Sequence, residues 1–466
     1  MKRRMRVNLE GLCLAVLMVV ALTASGWAVE YIDGTWPRLQ AGKPFAGTTI
    51  VVSTMEGWSC IAPAIERTGQ FEELTGIKVD WFRLPGSELY AKQIMELSAH
   101  TGYADVVQQP GIFMLPCFPY LEPLDSYIAE GWGSIPQFED EMWELQKQVK
   151  GPSGQYAMVQ FHANAQVTYY RKELFEDPSE KAAFRKQYGY DLKVPETHQQ
   201  LKDVATFFTR PPEMYGFIMN LGMDQGYTAQ NDLYLETGRD WVEKVDGGYR
   251  VTYASGEGRE EQIMLAQWLQ DAIYKDKYMA PDSATLTTGP VSEYFFAGHA
   301  AMAWGWLSDF WGYMQTPEIK NKIGEIGTFR LPLPVSIRSG GHASYWGAGI
   351  NVDSRRKDAA WEFIKWLMQE DIQLPMAKDA GQLPPYKKLA YYTSVDPGGI
   401  NPRTLYDKYL EARHPYLLPL LGLGPFTQAA DLHNLLTANK ITGEEFTDRA
   451  AKATEDALDR AGLLAK

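Results

Sequence analysis

The feature that most constrains the fold is a repeated alternation of short β-branched runs with amphipathic helical stretches. Thr48-Thr49-Ile50-Val51-Val52-Ser53 reads as a strand, a helix is predicted from about Pro63 to Leu74, and Gly76 stops it. In Ile77-Lys78-Val79-Asp80-Trp81 apolar and polar residues alternate, which predicts a second strand. Two strands separated by a helix of that length form a right-handed βαβ unit with a parallel pair. A further helix from Glu88 to about Ala99 leads into Asp105-Val106-Val107, a short buried strand that ends at Gln108-Gln109-Pro110-Gly111. Polar residues at such an end matter, because open α/β sheets bind ligands at the carboxyl ends of their strands.

The second half keeps the same grammar. Thr197 and Gln200 form a capping box, with Pro195 just before it, for a helix whose Leu201, Val204, Ala205 and Phe208 fall at i, i+3, i+4 and i+7. Leu265, Trp268, Leu269 and Ala272 repeat that spacing, as do Ala360, Phe363, Ile364 and Leu367. Thr442 and Glu445 open a last helix through Phe446, Ala450, Ala453 and Ala457. Such stripes are core faces turned toward a sheet. A chain of 466 residues exceeds what one core supports, so two lobes are expected.

Lys2, Arg3, Arg4 and Arg6 precede an apolar run from Gly11 to Leu22 and the small residues around Gly26-Trp27-Ala28. That order predicts a signal peptide cleaved after about Ala28, and the run is too short to span a bilayer as a helix. Cys13 follows Leu12 inside the apolar run, which argues against a lipid anchor. The formal net charge is -13, and losing the basic leader makes the mature chain more acidic still. Nucleic acid and anionic lipid are therefore disfavoured as partners. Cys60 and Cys117 remain after cleavage. An even pair in an oxidising compartment permits one disulfide, and two buried thiols are the alternative.

Motifs for chemistry are missing from the sequence. There is no Gly-x-Ser-x-Gly elbow, His-Glu-x-x-His helix, Walker loop or full Gly-x-Gly-x-x-Gly, and no two of the seven His lie within four positions of each other. Neither an enzyme, a metal site nor a cofactor is expected. A secreted glycoside hydrolase is the rival class, because its two carboxylates impose no fixed spacing.

Several segments, in order, resemble the family 1 extracellular solute-binding proteins of bacterial ABC importers, which include the maltose-binding type. They are Phe71-Glu72-Glu73-Leu74-Thr75-Gly76-Ile77-Lys78-Val79, Leu121-Glu122-Pro123-Leu124-Asp125, Thr168-Tyr169-Tyr170-Arg171-Lys172-Glu173-Leu174-Phe175, Val194-Pro195-Glu196-Thr197, Phe296-Ala297-Gly298-His299-Ala300-Ala301-Met302, and Gly349-Ile350 before Ala359-Ala360-Trp361-Glu362-Phe363-Ile364. The resemblance implies an α/β, two-lobe periplasmic binding protein fold, each lobe a central β-sheet flanked by helices, with a hinge between them. It places residues 29–162 and 343–380 in the first lobe, and residues 163–342 and 381–466 in the second. It also implies a periplasmic monomer that delivers a small solute to the permease subunits of an ABC importer and their cytoplasmic ATPase.

Sugars need flat aromatic faces and planar polar groups, and the chain has 14 Trp and 26 Tyr. Trp304-Gly305-Trp306-Leu307-Ser308-Asp309-Phe310-Trp311 is the densest aromatic cluster. Its place after Ala301-Met302 resembles the segment from which family members offer an aromatic platform, and that resemblance implies that Trp304 and Trp306 stack on ligand and Asp309 accepts hydroxyl hydrogen bonds, with Trp311 left to the core. Glu56 and Trp58 after the first strand, Gln108 and Gln109 after the third, and His162 and Asn164 at the first crossing complete the polar set. The resemblance adds Trp346 at the second crossing and Phe426. A sugar or sugar alcohol is the expected solute. A polyamine is the alternative, with Glu56, Asp224 and Asp309 as its carboxylates, whereas a phosphate ester lacks a basic cluster beyond Arg83 and Arg338.

Overall fold

The computed structural model describes residues 29–465 apart from 57–58, 144–145, 147–148, 152, 315–316, 339–342 and 391–422. The signal segment, residues 1–28, and Trp58 lie outside the described residues, as do the side chains of Asp224 and Phe426.

Strand β1, Thr49–Met55, runs parallel to β2, Lys78–Leu84, in register from Thr49 opposite Lys78 to Met55 opposite Leu84. The helical stretch between them is broken at Arg67 into Ala62–Glu66 and α1, Thr68–Thr75, where one helix is predicted from Pro63 to Leu74. Gly76 ends α1 in the left-handed region (φ 75°) and donates its N–H to the Glu72 carbonyl at 2.9 Å. A Cβ there would lie 2.7 Å from that of Ala46, so only glycine fits. Helix α2, Gly86–Ser98, leads to β3, Val106–Pro110. The sequence ends this strand at Gln108, but the structure carries it on through Pro110. Strand β10, Ala343–Ile350, supplies the reason: its Ala348 and Gly347 pair antiparallel with Gln108 and Gln109.

The main sheet has the order β2-β1-β3-β10-β4-β8-β5, with β9, Ile326–Phe329, also on β4. Strand β4, Val159–Arg171, holds it together. Its first half pairs with β10, and its second half with β8, Ala300–Trp306, and β9. Strand β5, Tyr215–Met219, closes the far edge parallel to β8. Two hydrophobic cores flank this path. One gathers residues of β1–β4 and β10 with α8, Lys357–Leu367; the other packs β5 and β8 against α3, His198–Phe208, α4, Met223–Leu235, and α5, Gly256–Gln270.

Helix α3 carries the predicted capping box, and its Leu201, Val204, Ala205 and Phe208 are buried. At the C-terminus α10, Leu423–Thr437, packs against α11, Gly443–Arg460, whose Glu445 N–H donates to Thr442 Oγ1 at 3.1 Å. Ahead of both in sequence, α9, Glu370–Ala380, ends at Gly381 in the left-handed region (φ 65°). Leu383 then exchanges two backbone hydrogen bonds with Ala163, 3.1 and 2.9 Å, so the chain meets β4 again at its midpoint. No helix among the described residues is long and apolar enough to cross a membrane.

Candidate functional site

The pairing register assembles the site on neighbouring strands. Trp346 lies between Pro110 and His162, Gly347 beside Gln109, Ser344 opposite Asn164, Trp306 opposite Gln166 and Trp304 opposite Thr168. A register shift falls between Trp346 and Gly347, after which β4 alternates regularly. His162, Asn164, Gln166 and Thr168 therefore share one face, while Ala163, Ala165, Val167 and Tyr169 occupy the other. Both faces are buried. A solvent-facing strand would explain such alternation cheaply; a buried polar face needs hydrogen-bonding partners instead.

Those partners are incomplete within the protein. Both amide atoms of Gln108, Oε1 of Gln109, Oγ1 of Thr168 and Nε1 of Trp304 are shielded from solvent and bonded to no group among the described residues. Asn220, just past the end of β5, and Gln230 on α4 show the same at both amide atoms. Leaving a buried polar group unpaired costs roughly 1–3 kcal/mol, and a polar guest that reaches such groups removes that cost. Those named are amides, a hydroxyl and an indole N–H, and none of them carries a charge.

The other expected residues have more individual fates. Asn164 is committed to the protein: its Nδ2 donates to Ser308 Oγ at 2.7 Å and its Oδ1 accepts from the Ala165 N–H at 3.0 Å. It thereby ties β4 to α7, Leu307–Met314. His162 is buried beside Gln382, and burial pushes its imidazole down to about 3, so it is neutral at physiological pH. Trp306 and Trp346 are each 8% exposed at the crossing, whereas Trp304, at 1%, is packed in the second core. Trp304 thus presents no open face, unlike the platform expected of it. Trp311 is in the core as expected, with Nε1 donating to the Lys378 carbonyl at 2.8 Å.

Glu56 is exposed at the end of β1. Asp309, with Ser292, Ser308, Tyr313, Asp379 and Ala380, lines a cavity of about 360 Å³ between α6, Thr288–Tyr294, α7 and the end of α9. Burial pushes its carboxyl up to about 7. Arg338, weighed above for anion binding, is held by Glu257 and Glu261 at 2.8 and 2.7 Å.

Cys60 and Cys117 are both buried thiols, Cys60 beneath Gln382, whose Nε2 donates to the Cys60 carbonyl at 2.9 Å, and Cys117 in the first core. Burial alone pushes the Cys117 thiol up to about 12, so it behaves as a small apolar side chain. Among the described residues no group of three or more His, Cys, Asp or Glu could hold a metal ion.

Two cores joined through one crossing strand, with buried uncharged polar groups and indoles at the crossing, define a two-lobed binding protein. Comparison with known proteins narrows the class. The pattern of the bacterial extracellular solute-binding proteins matches residues 59–374, and the chain belongs to that family. It is a solute-binding protein of the ABC importer type, in a family whose role is binding and not catalysis. The mannitol-binding protein of Pseudomonas aeruginosa is 23% identical over 321 residues, 64% of this chain and 68% of that protein. The putrescine-binding periplasmic protein PotF of Escherichia coli is also 23% identical over 321 residues, 68% of this chain and 72% of that protein. Among solved structures, maltose-bound MalE3 of T. maritima superposes with a TM-score of 0.73 at 20% identity, over 87% of this chain and 98% of that one. A ribitol complex of a binding protein from Agrobacterium radiobacter K84 gives 0.71 at 22%, over 88% and 98%.

Sequence reasoning missed Gln166, Thr168, Asn220 and Gln230. The signal for the first two was present: Val159-Gln160-Phe161-His162-Ala163-Asn164-Ala165-Gln166-Val167-Thr168 alternates throughout. Asn220 and Gln230 carry no local signal, because only the pairing of β5 with β8 brings Asn220 level with the Trp304-Gly305-Trp306 segment.

Proposed function

We propose that this protein captures an uncharged, polyhydroxylated solute, a sugar or sugar alcohol, at the crossing between its lobes and hands it to the permease of an ABC importer. The observation that carries this reading is the chemistry of the buried amides without partners among the described residues, which both donate and accept, together with the rings of Trp306 and Trp346 at the crossing. Hydroxyls, which both donate and accept, match amides; a polyamine would require carboxylates among them. Gln108, Gln109, Asn220 and Gln230 form hydrogen bonds to the solute, Trp306 and Trp346 cover its apolar faces, and Trp304 buttresses the second lobe.

In this reading residues 29–162 with 343–380 make the first lobe and residues 163–342 with 381–466 the second. Residues 1–28 direct export to the periplasm and are removed, and the mature protein acts as a monomer. Closure follows from differential affinity, since the solute favours the state in which both lobes touch it.

Tryptophan fluorescence titrated with mannitol, ribitol, maltose and putrescine tests the assignment. Saturable binding of one of the first three, with the solute recovered unchanged, is the expected result; a response to putrescine alone refutes it.

A further inference from the structure

Gln93 on α2 lies behind Gln108 and Gln109, and its bonds dictate what Gln109 can offer at the crossing. Its Nε2 donates to Ser53 Oγ at 2.8 Å, to the Ser53 carbonyl at 3.4 Å and to the Gln108 carbonyl at 3.3 Å. Backbone carbonyls only accept, so the atom of Gln93 that faces them is the nitrogen. The oxygen must then face the opposite way, toward Gln109, whose Nε2 donates to it. That oxygen only accepts, so Gln109 has to present its NH2 group and turn its own Oε1 away. Reversing Gln109 would set two oxygens against each other in a space where all three side chains, Ser53, Gln93 and Gln109, are at most 3% exposed.

We infer that Gln93 is a positioning residue: it fixes the amide of Gln109 so that the first lobe meets the solute with a hydrogen-bond acceptor and selects a donor, a hydroxyl, at that position. The inference rests on the proposed role of Gln109 in binding, but the orientation itself does not. Gln109 Oε1 is buried and bonded to no group among the described residues, which is the arrangement the relay requires. Two backbone carbonyls, on β1 and β3, thus set the polarity of a ligand contact through two side-chain amides.

Two measurements test this separately. Neutron diffraction from the perdeuterated, solute-free protein should place the Gln109 ND2 group against the Gln93 oxygen; the reverse assignment overturns the relay whatever the protein binds. Fluorescence titration with mannitol, ribitol and maltose should then show Gln93→Met binding the accepted solute roughly 5- to 10-fold more weakly than wild type. In a Gln109→Met background, Gln93→Met should have no further effect. Equal losses in both backgrounds would make Gln93 a packing residue and overturn the inference. If wild type binds none of the three solutes, the sugar reading fails while the neutron result still judges the orientation.

Discussion

Replacing Asp309 by Asn tests whether the structure reads the electrostatics of the Asp309 cavity correctly. The carboxyl is half-buried at the start of α7 and faces Tyr169, Tyr313 and, across the cavity, Asp379. Arg67 is engaged with Asp379 at 3.7 Å. Desolvation therefore pushes Asp309 from 3.8 to about 7 in the folded state. A raised carboxyl binds its proton more tightly folded than unfolded, so wild type loses stability as pH climbs from the unfolded value through about 7, and the loss is constant above that. At about 1.36 kcal/mol per pH unit the full span is ~4 kcal/mol, and residual solvent screening at a partly exposed group reduces it to about 2 kcal/mol. Asparagine has the same shape and no charge to desolvate. Thermal unfolding followed by circular dichroism should give nearly equal Tm values for the two proteins at pH 4, and Asp309→Asn ahead by a few degrees at pH 8. A variant less stable than wild type at pH 8, or a pH-independent difference, would show that the carboxylate is solvated or paired and that the burial argument is wrong.

Histidine linkage runs the other way. His162 and His433 are pushed down by burial to about 3 and about 4, so stability present above about pH 6.5 is lost as pH falls, and His162→Gln should flatten that acid limb in pH-dependent denaturation. Trp304→Ala should cost about 3–5 kcal/mol in denaturant titrations, because it empties a site in the second core. Trp306→Ala should abolish the fluorescence response to solute while lowering Tm by only a few degrees; a loss as large as that of Trp304→Ala would make Trp306 a core residue. Gly381→Ala should destabilise by more than about 1 kcal/mol, since the left-handed φ of 65° disfavours alanine and the new Cβ would stand 2.4 Å from that of Trp311. Under native conditions a thiol reagent should label neither Cys60 nor Cys117, and reduction should leave the intact mass unchanged; a gain of two hydrogens on reduction would establish the bridge.

The helices were the most legible part of the fold because their information is local. The box at Thr197 and Gln200, and the cap that Thr442 gives the Glu445 N–H, satisfy backbone donors within four residues. Errors arose where a distant strand decided the outcome. Val106-Val107 looked like a complete strand, but pairing with Gly347 and Ala348, more than 200 positions away, drew Gln108 and Gln109 into the sheet. The break at Arg67 likewise leaves no mark in the apolar spacing from Pro63 to Leu74.

The site was legible in kind more than in membership. A need for polar groups and indoles near strand ends picks out Gln108, Gln109, Trp306 and Trp346, and the same rule selects Trp304, which is packed in the second core, and Asp309, which lines a cavity with Ser308 and Asp379. Residue type does not separate these cases, because the side chain's direction depends on register. On β4 a one-residue slip would exchange His162, Asn164, Gln166 and Thr168 for Ala163, Ala165, Val167 and Tyr169. The apolar set belongs to a core that tolerates no polar substitute, so hydrophobic burial fixes that register. It follows that the polar face is held in place by the opposite side of the same strand. Binding groups here are positioned by packing they do not share in, which is why Tyr169, stacked on Phe310 at 4.0 Å, matters to the site as much as any residue within it.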